Sequence, residues 1–230
     1  MTVMLPDTRR PIVAAAGVYR PQEDSRLLID TLERSTVVVG RRVADLCTGS
    51  GIVAIAAAEL GAESVTAWDI SEPAVLCARR NAEVAGVAVD VRLGAFDGAL
   101  ADGPYDVVVT NPPYVPTSSG AGIDVPSAAD PAWSWDGGDD GRAIVDPLCA
   151  IAPDLLADGG TMLMVQSEFT GVEQSVQALR DGGLSADVIA WQLIPFGPVL
   201  SSHAGWLERT GRLTGGRRTE ELVVIRADKR

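Results

Sequence analysis

Short apolar runs alternating with longer helical segments constrain this chain more than any other feature. "RVADLC" (42–47), "SVTAWD" (64–69), "VDVRL" (89–93), "YDVVVT" (105–110), "TMLMVQS" (161–167), "SADVIAWQL" (185–193) and "ELVVIR" (221–226) read as strands. Between them, "IVAIAAAEL" (52–60), "EPAVLCARRNAEVAG" (72–86) and "GVEQSVQALRDGG" (171–183) read as helices, the second opened by Pro73 and closed by Gly86. Ahead of the first strand, "QEDSRLLIDTLER" (22–34) sets Leu28, Ile29 and Leu32 on one side of a helix, with Pro21 near its start. "GRAIVDPLCAIAPDLLADGG" (141–160) predicts a helix interrupted at Pro147 and Pro153. This regularity predicts a doubly wound α/β sheet with helices on both faces. The last two strands show no full helix between them, so an antiparallel pair at one edge is expected. Residues 115–140 and 201–220 break the pattern. A stretch as long as the first is usually functional or disordered. The expected organisation is one domain over 21–230 behind an N-terminal extension, 1–20.

Charge and composition remove several function classes. Acidic residues outnumber basic ones by 31 to 19, a net −12, which opposes stable binding to a phosphate backbone. The cysteines Cys47, Cys77 and Cys149 form no C-x-x-C pair and read as free thiols of a reducing compartment. One histidine, His203, argues against a histidine-based metal site or triad, and no metal is expected. The apolar run "PIVAAAGVY" (11–19) is too short to span a bilayer and lacks a secretory signal's layout. A cytoplasmic location is expected, with no membrane partner.

"DLCTGSGIVAIA" sets Gly49 and Gly51 between a strand and a helix. Glycines there let a ligand approach the backbone, and the helix N-terminus offers free N–H groups. Asp69 ends the next strand, where a carboxylate can accept both hydroxyls of an adenosine ribose. On spacing alone this suits NAD and S-adenosylmethionine equally. Asp45, before the glycines, tips the balance. It would repel a pyrophosphate, whereas a sulfonium and an ammonium favour nearby anions. A purely local hydrogen-bond role for Asp45 is the alternative.

"TNPPYV" (110–115) follows a strand whose carboxyl end faces the same crevice. Asn111 can accept through its side-chain oxygen, and the Asn111 and Pro112 carbonyls lie on a turn stiffened by two proline rings. Two acceptors facing a planar –NH₂ would aim its nitrogen at an electrophile, while Tyr114 stacks on the flat group. That suits methyl transfer to an amide or exocyclic amine, driven by proximity and orientation.

"VYRPQEDS" (18–25), "DLCTGSG" (45–51), "AWDIS" (67–71), "TNPPYV" and "WDGGDDGRAIVD" (135–146) resemble, in order and spacing, the HemK/PrmC family of protein-glutamine N5-methyltransferases. "RRTEELVVIR" (217–226) resembles the family's last strand. The likeness is greatest to the short eukaryotic and archaeal-type members that lack the helical N-terminal domain. It implies a Rossmann-like class I methyltransferase fold, with a seven-stranded, mostly parallel sheet and one antiparallel edge strand. It also implies S-adenosylmethionine as methyl donor, and as acceptor the glutamine of the Gly-Gly-Gln motif in translation release factors. A small zinc-binding activator subunit accompanies some short members. By position, Ser25 matches a hydroxyl near the donor's methionine end, and Asp45, Cys47, Gly49 and Gly51 match the donor loop. Asp69 and Ile70 match the ribose site, Ala95 and Phe96 flank the adenine, and Asn111, Pro112 and Tyr114 match the amide clamp, with Asn111 implied to touch the donor as well. Cys47 stands where glycine is usual and Ala95 where aspartate is frequent; Asp97 replaces the latter only if the loop shifts.

Other readings remain open on the motifs alone. Related Asn-Pro-Pro-Tyr turns orient base amines, so a nucleic-acid N6-adenine or N2-guanine methyltransferase is the alternative, opposed by the net charge. An NAD(P)-binding oxidoreductase leaves Asp45 and the Asn-Pro-Pro-Tyr turn unexplained, and weakened donor binding would leave a non-catalytic module. Trp133 and Trp135 either cover a substrate or anchor their loop. Asp139, Asp140 and Arg142 are expected at turn and helix-start contacts, and His203 is read as incidental. Arg209, Arg212, Arg217 and Arg218 read as a solvated face or a contact to a ribosome-bound partner or RNA.

Overall fold

The computed structural model describes residues 12–118 and 131–230. Most of the predicted N-terminal extension, and residues 119–130 of the long loop, lie outside that range. The strands are β1 (Arg42–Leu46), β2 (Ser64–Asp69), β3 (Asp90–Leu93), β4 (Tyr105–Thr110), β5 (Leu156–Ser167), β6 (Ser185–Pro195) and β7 (Thr219–Asp228). They form one seven-stranded sheet in the order β3-β2-β1-β4-β5-β7-β6. The first five run parallel. β7 runs antiparallel to both β5 and β6, which makes β6 the outermost strand.

The helices are α1 (Glu23–Ser35), α2 (Ile52–Glu59), α3 (Glu72–Ala85), α4 (Phe96–Asp102), α5 (Val145–Leu155), α6 (Val172–Asp181) and α7 (Pro198–Arg209). α1, α2 and α3 pack as one layer, and α4, α5 and α6 as another. The central strands are buried on both faces, so they read as near-continuous apolar runs: Val43 to Leu46 and Val107 to Thr110 are buried throughout. Helix ends follow local chemistry. α3 begins with Ser71 accepting from Ala74 N at 3.4 Å and Pro73 in its first turn, and ends on Gly86 at φ 70°. Among the described residues no helix is long and apolar enough to cross a membrane.

Three elements differ from the sequence reading. The helix expected over 141–160 yields its end to β5, because Asp158-Gly159-Gly160 makes an irregular strand start. Gly159 lies at φ 76° and its N–H donates to Lys229 O at 3.1 Å. α7 occupies much of the 201–220 stretch read as irregular, so a full helix does separate the last two strands. Its Leu200, Ala204 and Leu207 recur at helical spacing and are buried with Leu213, but Gly205 and two serines dilute the pattern. α4 is too short to register as a period.

Candidate functional site

The sheet order reverses between β1 and β4, so their neighbouring carboxyl ends leave a crevice that helices do not fill. Leu46 pairs with Trp68 on one side and Thr110 on the other. This register puts three turns side by side: the glycine turn after β1, the turn after Asp69, and Asn111–Tyr114. Thr110 Oγ1 fastens two of them by donating to Leu46 O at 3.0 Å. Together they open a cavity of about 280 Å³.

The first wall is made of backbone turns and two carboxylates. Asp69 is buried, with Oδ2 accepting from Gly49 N and Oδ1 from Ser71 N, both at 2.9 Å. Burial pushes its pKa up, against the pull of those N–H groups. Asp45 Oδ2 accepts from Thr48 Oγ1 at 2.6 Å and Ala54 N at 3.1 Å, so the local hydrogen-bond role is real, and the residue also borders the cavity. Burial pushes its pKa up to about 7. Cys47 lies at φ 59°, the left-handed region that glycine occupies without strain, and a non-glycine residue there costs about 1–2 kcal/mol. Burial and the neighbouring Asp69 and Asp45 hold its thiol protonated. Gly49 at φ 54° keeps the turn open beside the cavity. Gly51 does not line the cavity. A Cβ there would sit 2.9 Å from Ala78 Cβ, so this glycine lets α2 pack closely on α3.

Trp68, Gly94, Ala95 and Phe96 line the far end, with Ile70 exposed at the rim. Asp97 does not line the cavity; its Oδ1 accepts from Gly98 N at 2.9 Å within its own turn, so it does not stand in for an aspartate at Ala95.

The second wall is Asn111 to Val115. Asn111 Nδ2 donates to Ser25 Oγ at 3.3 Å, which turns the side-chain oxygen away from that contact. Tyr114 is buried and its hydroxyl donates to Asp24 Oδ2 at 3.0 Å, while Thr170 Oγ1 donates to Tyr114 O at 2.9 Å. Burial and Asp24 hold the phenol well above its usual pKa. Val115 N donates to Trp135 O, and Gly137 N to Val115 O, both at 2.9 Å, so the turn is braced along its length. Trp133 and Trp135 take different parts. Trp135 is 7% exposed and packs edge-on against His203 at 6.0 Å, anchoring the loop; Trp133 is 45% exposed at the cavity edge.

Asp24, Tyr19 and Arg142 carry weight that the motifs did not reveal. Asp24 is buried and accepts from the Tyr19 hydroxyl at 2.7 Å as well as from Tyr114 and Ser25. A signal existed: Asp24, Leu28 and Leu32 share one helix stripe, which sets a carboxylate among core residues. Arg142, 3% exposed, donates to Asp146 Oδ1 at 2.5 Å, Thr170 O at 2.5 Å and Ser175 Oγ at 3.1 Å, pinning the loop to α6. Asp140 Oδ1 accepts from Arg142 N at 3.0 Å, a turn contact as expected. His203 is buried, with Nδ1 2.9 Å from Val199 O, and serves packing. Of the clustered arginines, Arg217 pairs with Glu168, Arg218 with Glu208, and Arg212 stacks over Trp206 at 5.2 Å. Their charge is largely used within the chain.

The cavity's charge is one-sided. Among the described lining residues are Asp24, Asp45, Asp69 and Asp136, and none is a lysine, arginine or histidine. Such a site accommodates a cation and repels a phosphate. Among the described residues no histidine, cysteine and carboxylate cluster is arranged for a metal ion.

Residues 24–112 match the family described as ribosomal protein L11 methyltransferase (PrmA). The chain is 33% identical over 190 residues to a putative protein N5-glutamine methyltransferase of Methanocaldococcus jannaschii, covering 81% of this chain and 91% of that protein. It is 34% identical over 193 residues to a release factor glutamine methyltransferase of Deinococcus radiodurans, covering 74% of this chain and 69% of that one. In structure it resembles a chain of the E. cuniculi Mtq2–Trm112 complex, at TM-score 0.62 and 20% identity, over 93% of this chain and 99% of that one. What it shares with that chain is the fold, a class I methyltransferase sheet.

Proposed function

The chain belongs to the HemK/PrmC-type family of protein glutamine methyltransferases, S-adenosylmethionine-dependent enzymes, and on that premise we propose that it methylates a glutamine side-chain amide of the Gly-Gly-Gln motif in a translation release factor. The observation that carries this reading is the pairing of a cavity whose charged lining residues are all acidic with the Asn111–Tyr114 turn across the β1–β4 crevice. The residues fit the methyl donor. Asp69 would take the ribose hydroxyls, and Trp68, Ala95 and Phe96 the adenine. Asp45, Ser25 and the main chain at Cys47 and Gly49 would take the cationic methionine end, with Ile70 at the rim and Gly51 supporting the turn from behind. When bound, S-adenosylmethionine supplies a methyl group on a sulfonium, so that a C–S bond breaks as an N–C bond forms.

The chain's own part is orientation. The Asn111 side-chain oxygen and the carbonyls of Asn111 and Pro112 hold the two amide hydrogens, Tyr114 flanks the plane of the group, and the nitrogen's lone pair is aimed into the cavity. Trp133, at the cavity edge, would cover the acceptor. No strong base is required, because the proton leaves after attack; Asp45 and Asp69 favour the cation before transfer. A protein acceptor is further supported by the net charge of −12, which disfavours a nucleic-acid surface. As partner we propose a small activator subunit. Leu76 and Val84 on α3 and Leu93 on the edge strand β3 are exposed apolar side chains of the kind a partner covers. One similar structure holds such a pair, Mtq2 with Trm112, a complex described as methylating the eRF1 termination factor.

The test is transfer of labelled methyl groups to purified release factors and to rRNA in the same reaction, followed by mapping of the modified residue. The label is expected on the Gly-Gly-Gln glutamine and lost when that glutamine is replaced by alanine. Label on RNA, with none on protein, overturns the reading.

A further inference from the structure

Behind the second wall lies a chain of hydrogen bonds with a fixed direction. The Asp24 carboxylate receives four donors: the Tyr19 hydroxyl at 2.7 Å, the Tyr114 hydroxyl at 3.0 Å, Ser25 N at 2.5 Å and Ser25 Oγ at 3.2 Å. Four donors fill the acceptor sites of one carboxylate, so Asp24 has no lone pair left to accept a hydrogen bond from a substrate. A hydroxyl has a single hydrogen. With the Ser25 hydrogen committed to the carboxylate, Ser25 Oγ presents only lone pairs to Asn111, and it is the Asn111 Nδ2 group that meets it, at 3.3 Å. The other end of the amide, Oδ1, is thereby the end left for the cavity that Asn111 lines. The same carboxylate fixes the Tyr114 ring by its hydroxyl.

We propose that Asp24 is a positioning residue that sets the polarity of the Asn111 amide through Ser25, so that an acceptor oxygen and not a donor –NH₂ faces the methyl-accepting group. This rests on the reading above that the accepted group is an –NH₂, which requires acceptors in the wall. A neutral residue at 24 frees the Ser25 hydroxyl to rotate and donate to Asn111 Oδ1. The amide then turns over and presents hydrogens to hydrogens. Asp24 is distinct in role from Asp45 and Asp69, whose carboxylates are held by turn N–H groups on the opposite wall.

The chain offers an unusually direct readout, because Asn81 and Asn111 are its only asparagines. Protein labelled with [¹⁵N]asparagine therefore gives two side-chain amide pairs, observable without donor or acceptor. In Asp24→Ala the Asn111 pair is expected to shift while the Asn81 pair, held by Val13 O and Ser50 O, stays in place. Ser25→Ala is expected to shift the same pair, and serves in its place if Asp24→Ala does not fold. Turnover in Asp24→Ala is expected to fall about 10²-fold, as a misplaced reacting group does, and Asp24→Glu to recover part of it. At saturating donor the Asp24→Ala/Ser25→Ala double variant should be no slower than the worse single one, since Ser25 then acts only through the amide that Asp24 already sets. An unmoved Asn111 pair in both variants overturns the proposal, as do additive losses. If wild type transfers nothing to glutamine yet the Asn111 pair shifts as described, the acceptor assignment fails and the positioning role stands.

Discussion

The two walls of the cavity are built by different means. In the glycine-turn wall the carboxylates are held by groups two to twenty residues away: Asp45 by Thr48 Oγ1 and Ala54 N, three and nine away, and Asp69 by Ser71 N and Gly49 N, two and twenty away. In the Asn111–Tyr114 wall the side chains are held by other side chains on α1, 86 and 90 residues distant. A wall made by one βα turn and the next strand end forms whenever that supersecondary unit forms. A wall whose two key side chains are oriented from α1 exists only once the sheet is complete enough for α1 to pack on β5, β6 and β7. Donor binding should therefore tolerate damage to the second wall, while transfer should tolerate little.

The largest effect that sharpens this contrast is loss of the amide itself. Asn111→Ala is expected to lower methyl transfer by about 10³-fold or more, since it removes an orienting acceptor present at the reacting nitrogen. The measurement is labelled-methyl incorporation at saturating donor. A rate within tenfold of wild type would break the assignment of that wall to the acceptor.

Next comes the first wall. Asp69→Ala removes a buried carboxylate whose bonds to the ribose hydroxyls would together be worth about 3 kcal/mol, so donor affinity should weaken about 10²-fold with a smaller change in saturated turnover. The ratio of the dissociation constant to the turnover change is the informative quantity here. A turnover loss with unchanged affinity would exchange the roles of the two walls.

Titration of Asp45 gives a smaller effect with a defined sign. Its pKa is raised by burial to about 7 from the ordinary 3.8, so the folded chain holds this proton more tightly than the unfolded chain. The stabilising contribution of the neutral acid is thus present below the unfolded pKa and lost as pH rises from about 4 towards 7. A cationic donor favours the ionised form. Affinity should consequently weaken below pH 7, by up to about tenfold per pH unit, and donor binding should release protons near pH 7. Glu220, buried and also raised to about 7, shares the stability window. Asp45→Asn separates the two: the affinity profile flattens, and the stability window that remains is that of Glu220. A pH-independent affinity in wild type would remove Asp45 from the donor site.

The smallest predicted effect lies in the backbone. Cys47→Gly relieves a left-handed conformation in a half-buried residue and should raise stability by about 1 kcal/mol, read from the urea midpoint at unchanged m-value. A fall in stability would mean that the Cys47 side chain contributes more by packing than its φ costs.

The same contrast separates what is legible in the sequence from what is not. The parallel strands, the glycine turn, Asp45, Asp69 and the Asn-Pro-Pro-Tyr turn are encoded locally, by periodicity and by residues with restricted φ, and they can be read directly. Asp24 is legible only in part: its stripe with Leu28 and Leu32 marks it as core-facing, but a carboxylate at the start of a helix also has an ordinary local explanation in the helix dipole. Only the fold brings Tyr19, Ser25 and Tyr114 to it. Gly51 shows the converse: its place in the glycine pattern suggests ligand contact, while the neighbouring helix accounts for it through Ala78. α7 escapes detection because a central glycine and serines obscure an apolar stripe that is plain once Leu200, Ala204 and Leu207 are seen together.

The division of labour between the walls is most directly tested by calorimetric titration of S-adenosylmethionine into wild type, Asp69→Ala and Asn111→Ala. The expected dissociation constant is within about threefold of wild type for Asn111→Ala and about 10²-fold weaker for Asp69→Ala. Equal weakening in both variants would contradict that division, because the cavity would then be one undivided donor site.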